Sequence, residues 1–263
     1  MENGEAKNGG PAIAVKGLRK SYGAQTVLNG IDLQVAQGET MAILGRSGTG
    51  KSVFLKLLIG LQKPDAGSIQ LCGTMITDMR LDELNAIRKK VGFLFQQAAL
   101  YDSLTVEENV AFPLRRMRKE MSPAELRDRV RELLSRVGME GAVRKMPSEI
   151  SGGMQKRVGL ARALALEPEV LLCDEPTAGL DPITAGEIDE LILKLQEERQ
   201  MASVVVTHDL HDAKTIADRI ALLNQGNIVI EGTFEDLRRS QDRFVAQFMR
   251  EGEQETVCRE LSA

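Results

Sequence analysis

Two separated stretches of this sequence carry residue types and spacings that could handle phosphate. The first, Gly45-Arg46-Ser47-Gly48-Thr49-Gly50-Lys51-Ser52, fits the pattern G-x-x-x-x-G-K-[ST], preceded by an apolar run and followed by a helical pattern. Its glycines let backbone N–H groups curl around phosphate oxygens, and the helix start adds partial positive charge. Lys51 is expected to reach the β- and γ-phosphates, and the Ser52 hydroxyl to bind Mg²⁺. The second stretch, Ser151-Gly152-Gly153-Met154-Gln155, is a glycine turn opening another helix, again offering N–H groups to an anion. One nucleotide has little need of both within one chain. The pair therefore predicts a nucleotide sandwiched between two copies, an ATP-driven dimer rather than a simple kinase or GTPase.

A third element supplies acids. Val170-Leu171-Leu172-Cys173 is an apolar strand pattern ending in Asp174-Glu175. Two acids at a strand end usually mark an exposed turn, but following a phosphate loop they acquire work to do. Asp174 is placed to hold Mg²⁺ through its water shell, and Glu175 to face the γ-phosphate and polarise an attacking water.

Taken with the Ser151–Gln155 turn, these motifs resemble the ATPase subunits of ABC transporters, over roughly Ala12 to Leu237. The resemblance implies further roles. Tyr22 would stack on adenine, and Gln96 would sense the γ-phosphate and metal from the hinge to a helical subdomain. Ser151, Gly152 and Gly153 would clasp the γ-phosphate of the partner copy's nucleotide, with Gln155 beside them. Ala178-Gly179-Leu180-Asp181 would be the loop through which the two sites communicate, and His208 would hold the attacking water in line. The expected catalytic set is Glu175, His208, Gln96 and Lys51. The expected nucleotide contacts are Tyr22, Gly45, Arg46, Ser47, Gly48, Thr49, Gly50, Lys51, Ser52, Val53, Ser151, Gly152, Gly153, Gln155 and Asp181. Ser52, Gln96 and Asp174 are expected around the metal.

A narrower likeness is carried by Phe93 to Val106, by Asn109-Val110-Ala111-Phe112-Pro113-Leu114-Arg115, by Val53 after the phosphate loop, by Met154 to Ala163, by Asp181-Pro182-Ile183-Thr184 and by Phe244 to Met249. Together they are similar to the Mla type, bacterial phospholipid-transport ATPases that work with periplasmic MCE-domain proteins. That likeness implies a homodimer, a permease pair in the inner membrane, an MCE-domain partner and phospholipid cargo, with the ATPase on the cytoplasmic face. The alternative is an ABC ATPase energising import of an amino acid or other small solute. Met154 replaces the Gln often found after the two glycines, and Arg46 the Pro frequent after the first loop glycine. Neither supplies a side chain that phosphate binding requires. An ABC ATPase serving DNA repair or ribosomes usually has a long coiled-coil insertion or tandem cassettes, and the sequence shows neither. An inactive nucleotide-binding scaffold is at odds with the presence of both Glu175 and His208.

These residues need elements to position them. Apolar runs at Ile13–Leu18, Val27–Val35, Thr40–Leu44, Ser68–Leu71, Val91–Phe95, Val170–Cys173 and Ser203–Thr207 read as strands. Val53–Leu61, Leu81–Lys89, Val106–Met117, Pro123–Val137, Gly152–Leu166, Ile183–Arg199 and Ala213–Ala217 read as helices. Ser122-Pro123-Ala124-Glu125 is a strong helix start. Ile220–Leu223 and Ile228–Ile230 read as a hairpin around Gln225-Gly226-Asn227. Strands alternating with helices predict an α/β fold with a mostly parallel core sheet. The resemblance makes it a P-loop NTPase, with an N-terminal antiparallel β subdomain and a helical insertion at about 97–166. The expected organisation is a disordered leader at 1–11, the ATPase domain at 12–240, and a C-terminal helix and loose tail at 241–263.

Bulk properties fit this frame. Of 263 residues 43% are hydrophobic and 27% charged, with a net charge of −4, so nothing points to nucleic acid as a partner. Cys72, Cys173 and Cys258 lack metal or redox spacing, and Cys173 is expected to be an inert core thiol. No apolar run reaches the ~18 residues a membrane helix requires, so any membrane role must pass through a separate embedded partner. Arg115, Arg116, Arg118 and Lys119 form a basic cluster, readable as a solvated face or as a contact for lipid headgroups or an acidic loop.

Overall fold

The computed structural model describes residues 10–260, with side chains described through 254. Most of the expected 1–11 leader, residues 261–263 and the Cys258 side chain lie outside the described residues. Two sheets organise the chain. Strands β1 (Ile13–Tyr22) and β2 (Gln25–Val35) form an antiparallel hairpin, and β3 (Thr40–Leu44) leads through the phosphate loop into helix α1 (Lys51–Leu58). Strands β4 (Ala66–Leu71) and β5 (Thr74–Met75) then complete a four-stranded sheet of order β2-β1-β4-β5. Ile13, Val15 and Leu18 of β1 and Leu28, Ile31, Leu33 and Val35 of β2 point into one core, as a period-two pattern demands. Both strands run further than their apolar stretches, because ladder pairing continues to Tyr22 opposite Gln25.

Helix α2 (Leu81–Arg88) precedes β6 (Val91–Leu94), and α3 (Val106–Met117), α4 (Pro123–Arg136) and α5 (Gly152–Ala163) make the helical stretch. Ser122 caps α4 as its sequence requires: its hydroxyl accepts from Glu125 N while the Glu125 carboxylate accepts from Ser122 N. The chain returns to the sheet as β7 (Val170–Asp174), α6 (Pro182–Arg199), β8 (Ala202–Thr207), α7 (Leu210–Ile216) and the antiparallel pair β9 (Arg219–Asn224) and β10 (Asn227–Gly232). Helices α8 (Phe234–Arg238) and α9 (Arg243–Glu260) end it.

The second sheet has order β10-β9-β3-β8-β7-β6 and is parallel throughout except at β10, bearing out the expected α/β architecture. Strands β3, β7 and β8 are buried along their whole length, so their apolar runs are continuous rather than alternating. One core lies between the two sheets around α1. A second lies between the opposite face of the parallel sheet, α6 and the α3–α5 helices, and a third lies under α7 and α9. The register aligns Leu44 with Thr207 and Asp174 with Val206, bringing the carboxyl ends of β3, β8 and β7 together. Open parallel sheets hold their ligands at such strand ends.

Several sequence boundaries shift. Strand β6 stops at Leu94, so Gln96 lies in the following turn rather than ending a strand. Helix α5 stops at Ala163, although Leu164 stays buried. Helix α1 starts two residues early, at Lys51, and closes at Leu58. Helix α7 starts at Leu210 because Asp209 caps it, accepting from His211 N at 2.8 Å. The two-residue β5 is too short to leave a periodic signal. Helix α9 continues to Glu260 where a loose end past Glu251 was expected. Phe248 is buried within its own chain, with its ring 6.3 Å from that of Phe244.

Candidate functional site

The buried strand β3 delivers the phosphate loop. A side chain at Gly45 would place Cβ 2.6 Å from the Leu223 carbonyl oxygen, and Gly50 enters α1 with φ +103°, so both positions need glycine. Lys51 is nearly buried; its Nζ donates to the Gly45 carbonyl at 2.7 Å and the Arg46 carbonyl at 3.2 Å, and lies 3.6 Å from Glu175 Oε1. Burial pulls the Lys51 pKa down, while the Glu175 carboxylate works to hold its charge. One residue on, the Ser52 hydroxyl donates to Asp174 Oδ1 at 2.9 Å. Burial raises the Asp174 pKa, with the Ser52 hydrogen bond opposing it.

Glu175 lies at the centre of the cluster. Its backbone is left-handed, with φ +45°. Oε2 accepts from Gln96 Nε2 at 3.2 Å, and Oε1 is 3.3 Å from His208 Nδ1 and 3.6 Å from Lys51 Nζ. Six sequence-predicted residues, Lys51, Ser52, Gln96, Asp174, Glu175 and His208, thus converge from the ends of four neighbouring strands. Among the described residues no group of three or more His, Cys, Asp or Glu side chains is arranged to hold a metal. Mg²⁺ suits what is there, because it binds through one or two protein oxygens and completes its shell with phosphate and water. Ser52 Oγ and Asp174 Oδ1 are such a pair.

Other predicted contacts lie apart from this cluster. Tyr22 is half-exposed at the end of β1; its hydroxyl donates to the Gln62 side chain and Lys20 Nζ sits 5.5 Å from its ring centre. Arg46 turns outward to Glu251 of α9, 2.6 Å away, Ser47 and Gly48 are exposed, and Thr49 Oγ1 donates to the Arg46 carbonyl at 2.8 Å. Val53 packs against the first core. The second turn is built differently. Ser151 caps α5, its hydroxyl accepting from Met154 N at 3.3 Å, and Gly153 lets α5 approach α6 so closely that a Cβ would meet Thr184 at 2.4 Å. Gln155 donates to the Pro147 carbonyl within its own subdomain, and Asp181 caps α6 through Thr184 N. Ser151 and Gly152 are exposed and share no hydrogen bond with the Lys51–Glu175 cluster among the described residues.

Three features escaped the sequence. Lys156 of α5 is buried and donates to the backbone carbonyls of Gln96 at 2.5 Å and Glu175 at 3.0 Å. Arg162, one and a half turns along the same helix, donates to the carbonyls of Ala98 at 2.6 Å and Ala99 at 2.7 Å, both alanines being left-handed. Asp212 accepts from Thr177 at 2.5 Å and Thr207 at 3.0 Å, tying the loop after Glu175 to the strand before His208. Its neighbour Asp189 is fully buried, and neither of its oxygens receives a hydrogen bond. Burial, then the Asp212 charge, push its pKa to about 9, so Asp189 keeps its proton beside Asp212. Nothing local in the sequence separates these side chains from ordinary polar residues of an amphipathic helix.

Surface hollows border the helical stretch. Phe93, Phe95, Tyr101, Phe112 and Pro113 line a groove of about 400 Å³ between the β6 edge and α3. Buried Asn109 holds the Tyr101 backbone, accepting from Tyr101 N and donating to the Tyr101, Leu104 and Thr105 carbonyls. Arg115, Arg118 and Lys119 of the basic cluster meet Arg127 and Arg144 around a second hollow of about 590 Å³; Arg116 is exposed but not part of its wall.

Comparison with known proteins agrees with this geometry. A family model described as ABC transporter matches residues 28–178. A probable ribonucleotide transport ATP-binding protein, mkl, of Mycobacterium leprae is 45% identical over 240 residues, 91% of this chain and 69% of that one. The intermembrane phospholipid transport system ATP-binding protein MlaF of Haemophilus influenzae is 40% identical over 238 residues, 90% of each chain. Among solved structures, the dimeric post-hydrolysis state of the ATP-binding cassette MJ0796, bound to ADP and Pi, superposes with a TM-score of 0.78 at 38% identity, over 84% of this chain and 98% of that one.

Proposed function

The chain belongs to the ABC transporter family as an ATP-hydrolysing subunit, and on that premise we propose that it drives phospholipid movement between membranes. The observation that carries the ATPase chemistry is the Glu175 carboxylate, held by Gln96, His208 and Lys51 at the end of β7. In this reading Lys51 and the loop N–H groups take the β- and γ-phosphates. Ser52 and Asp174 would hold Mg²⁺, which would supply charge neutralisation to the phosphate oxygens. Glu175 accepts the proton of the attacking water, and His208 and Gln96 keep that water and the terminal phosphate aligned. Little covalent work falls to the protein, so its contribution is positioning and charge neutralisation. Ser151, Gly152 and Gly153 grip the nucleotide of a partner copy, with Asp181 at the loop between the two sites.

Phospholipid as cargo is supported by likeness to a phospholipid-transport ATPase across 90% of both chains. No helix among the described residues is long and apolar enough to cross a membrane, so the proposed carriers are separate permease subunits and an MCE-domain partner. The chain would sit peripherally, on the cytoplasmic side of the inner membrane. The aromatic groove around Tyr101 and Phe112 suits a permease helix. A cysteine at Ser103, beside that groove, is expected to form a disulfide with one engineered into the permease's cytoplasmic loop. No crosslink at any loop position would remove the groove from this role. The second reading, small-solute transport, is supported by the similarity to a ribonucleotide-transport protein. Mass spectrometry of the native complex decides between them: co-eluting phospholipid and an MCE-domain protein support lipid transport, whereas a solute-binding protein with no bound lipid overturns it.

A further inference from the structure

The reactive end of the site is held from behind by a buried cation. Lys156 lies on α5, the helix opened by the Ser151-Gly152-Gly153 turn. It is only 4% exposed, and its ammonium donates to two main-chain oxygens, those of Gln96 and Glu175. These two residues also meet through their side chains, Gln96 Nε2 to Glu175 Oε2 at 3.2 Å. Lys156 therefore closes a ring: α5, the turn bearing Gln96, and the strand end bearing Glu175 are joined by three hydrogen bonds.

The strain in this region calls for such a brace. Glu175 has φ +45°, a conformation that side-chain-bearing residues rarely adopt. Its surroundings must impose it, and the Lys156 bond to its carbonyl and the Glu175 N bond to the Val206 carbonyl at 2.9 Å fix both sides of the residue. The segment after Gln96 is held in the same way. Ala98 and Ala99 are both left-handed, and both carbonyls are gripped by Arg162 from the same helix. Helix α5 thus holds the Gln96–Ala99 segment by two cations, the buried Lys156 at one end and the partly buried Arg162 at the other. An ammonium removed from water is costly unless its donors find acceptors. Here the acceptors are carbonyls and not carboxylates, so its charge remains available to the nearby Asp174 and Glu175.

We infer that Lys156 is a positioning residue for hydrolysis: it fixes the backbone of Gln96 and Glu175, and so couples the partner-facing turn at the start of α5 to the orientation of the Glu175 carboxylate. The inference rests on the assignment of Glu175 as the group that receives the water's proton. Lys156 need not touch nucleotide, so its removal acts on turnover and not on ATP affinity.

A double-mutant cycle on the full chain tests this at saturating Mg-ATP. Lys156→Met keeps the stem and removes the donors; turnover is expected to fall at least tenfold, with KM and the ATP dissociation constant within twofold of the parent. Lys156→Arg, which keeps charge and donors, is expected to recover a third or more of parental turnover, and serves if the Met variant fails to fold. In a Glu175→Gln background the Met substitution should change the residual single-turnover rate less than twofold, because the group it positions is already gone. Parental turnover in Lys156→Met would overturn the inference. So would an equal tenfold loss in the Glu175→Gln background, or a loss that follows weakened ATP binding. Failure of the underlying assignment looks different: Glu175→Gln alone would then turn over normally.

Discussion

Lys51 and Glu175 share one ion pair across the site, and that pairing organises chemistry at the residue scale. Lys51 donates to the Gly45 and Arg46 carbonyls, close to the carboxylate that holds its charge. A triphosphate would replace these acceptors with stronger ones and leave Glu175 free to face water. Lys51→Ala removes the side-chain cation that donates to the loop carbonyls of Gly45 and Arg46, so ATP affinity measured by titration calorimetry is expected to fall at least 100-fold. Unchanged affinity would refute the assignment of the loop. These residues were legible because their chemistry is sequential: a Gly-rich loop with Lys and Ser, or two acids ending an apolar run, is a local pattern. Lys156, Arg162, Asp189 and Asp212 were not, because each acts on a segment far away in the chain. Lys156 meets its carbonyls across 60 and 19 residues of sequence.

At the element scale, the geometry of the strand ends depends on what lies beneath them. Helices α6 and α7 press Asp189 and Asp212 together under the Thr177 and Thr207 hydroxyls, so one of the two acids keeps its proton. Asp189 carries a pKa raised from 3.8 to about 9. Between those values the folded chain binds a proton that the unfolded chain has released. Its stabilising contribution is therefore complete below the unfolded pKa and is lost as pH rises toward the folded one. The slope is at most about 1.4 kcal/mol per pH unit for one proton. Asp189→Asn keeps a donor for Asp212 without titrating. Urea melts at pH 5.5 and 8.5 are expected to show the parent losing more stability than the Asn variant over that interval, with the variant the more stable of the two at pH 8.5. Equal losses in both proteins would contradict the retained proton. Element types followed from periodicity, but their ends did not. Helix α7 starts early because Asp209 caps it, and β1 runs on because β2 is there to pair with it. Capping and pairing are decided by partners that a window of sequence does not contain.

For the whole molecule, the distribution of the groups proposed to bind phosphate is the main constraint. Lys51, Ser52, Gln96, Asp174, Glu175 and His208 gather at the ends of adjacent strands, while Ser151 and Gly152 stand exposed at the start of α5, unbonded to that cluster. In the proposed function these are two half-sites, which would be complete only when two chains meet head to tail, each supplying what the other lacks. The related cassette MJ0796 has been solved as a dimer holding ADP and Pi. Substituting Glu175→Gln should leave ATP binding intact while halting turnover, so that the closed pair accumulates. The most direct measurement is a crystal structure of that variant with Mg-ATP. It is expected to show each terminal phosphate between Lys51 of one protomer and the Ser151-Gly152-Gly153 turn of the other. A terminal phosphate that meets only its own chain, with the second turn facing solvent, would contradict the account.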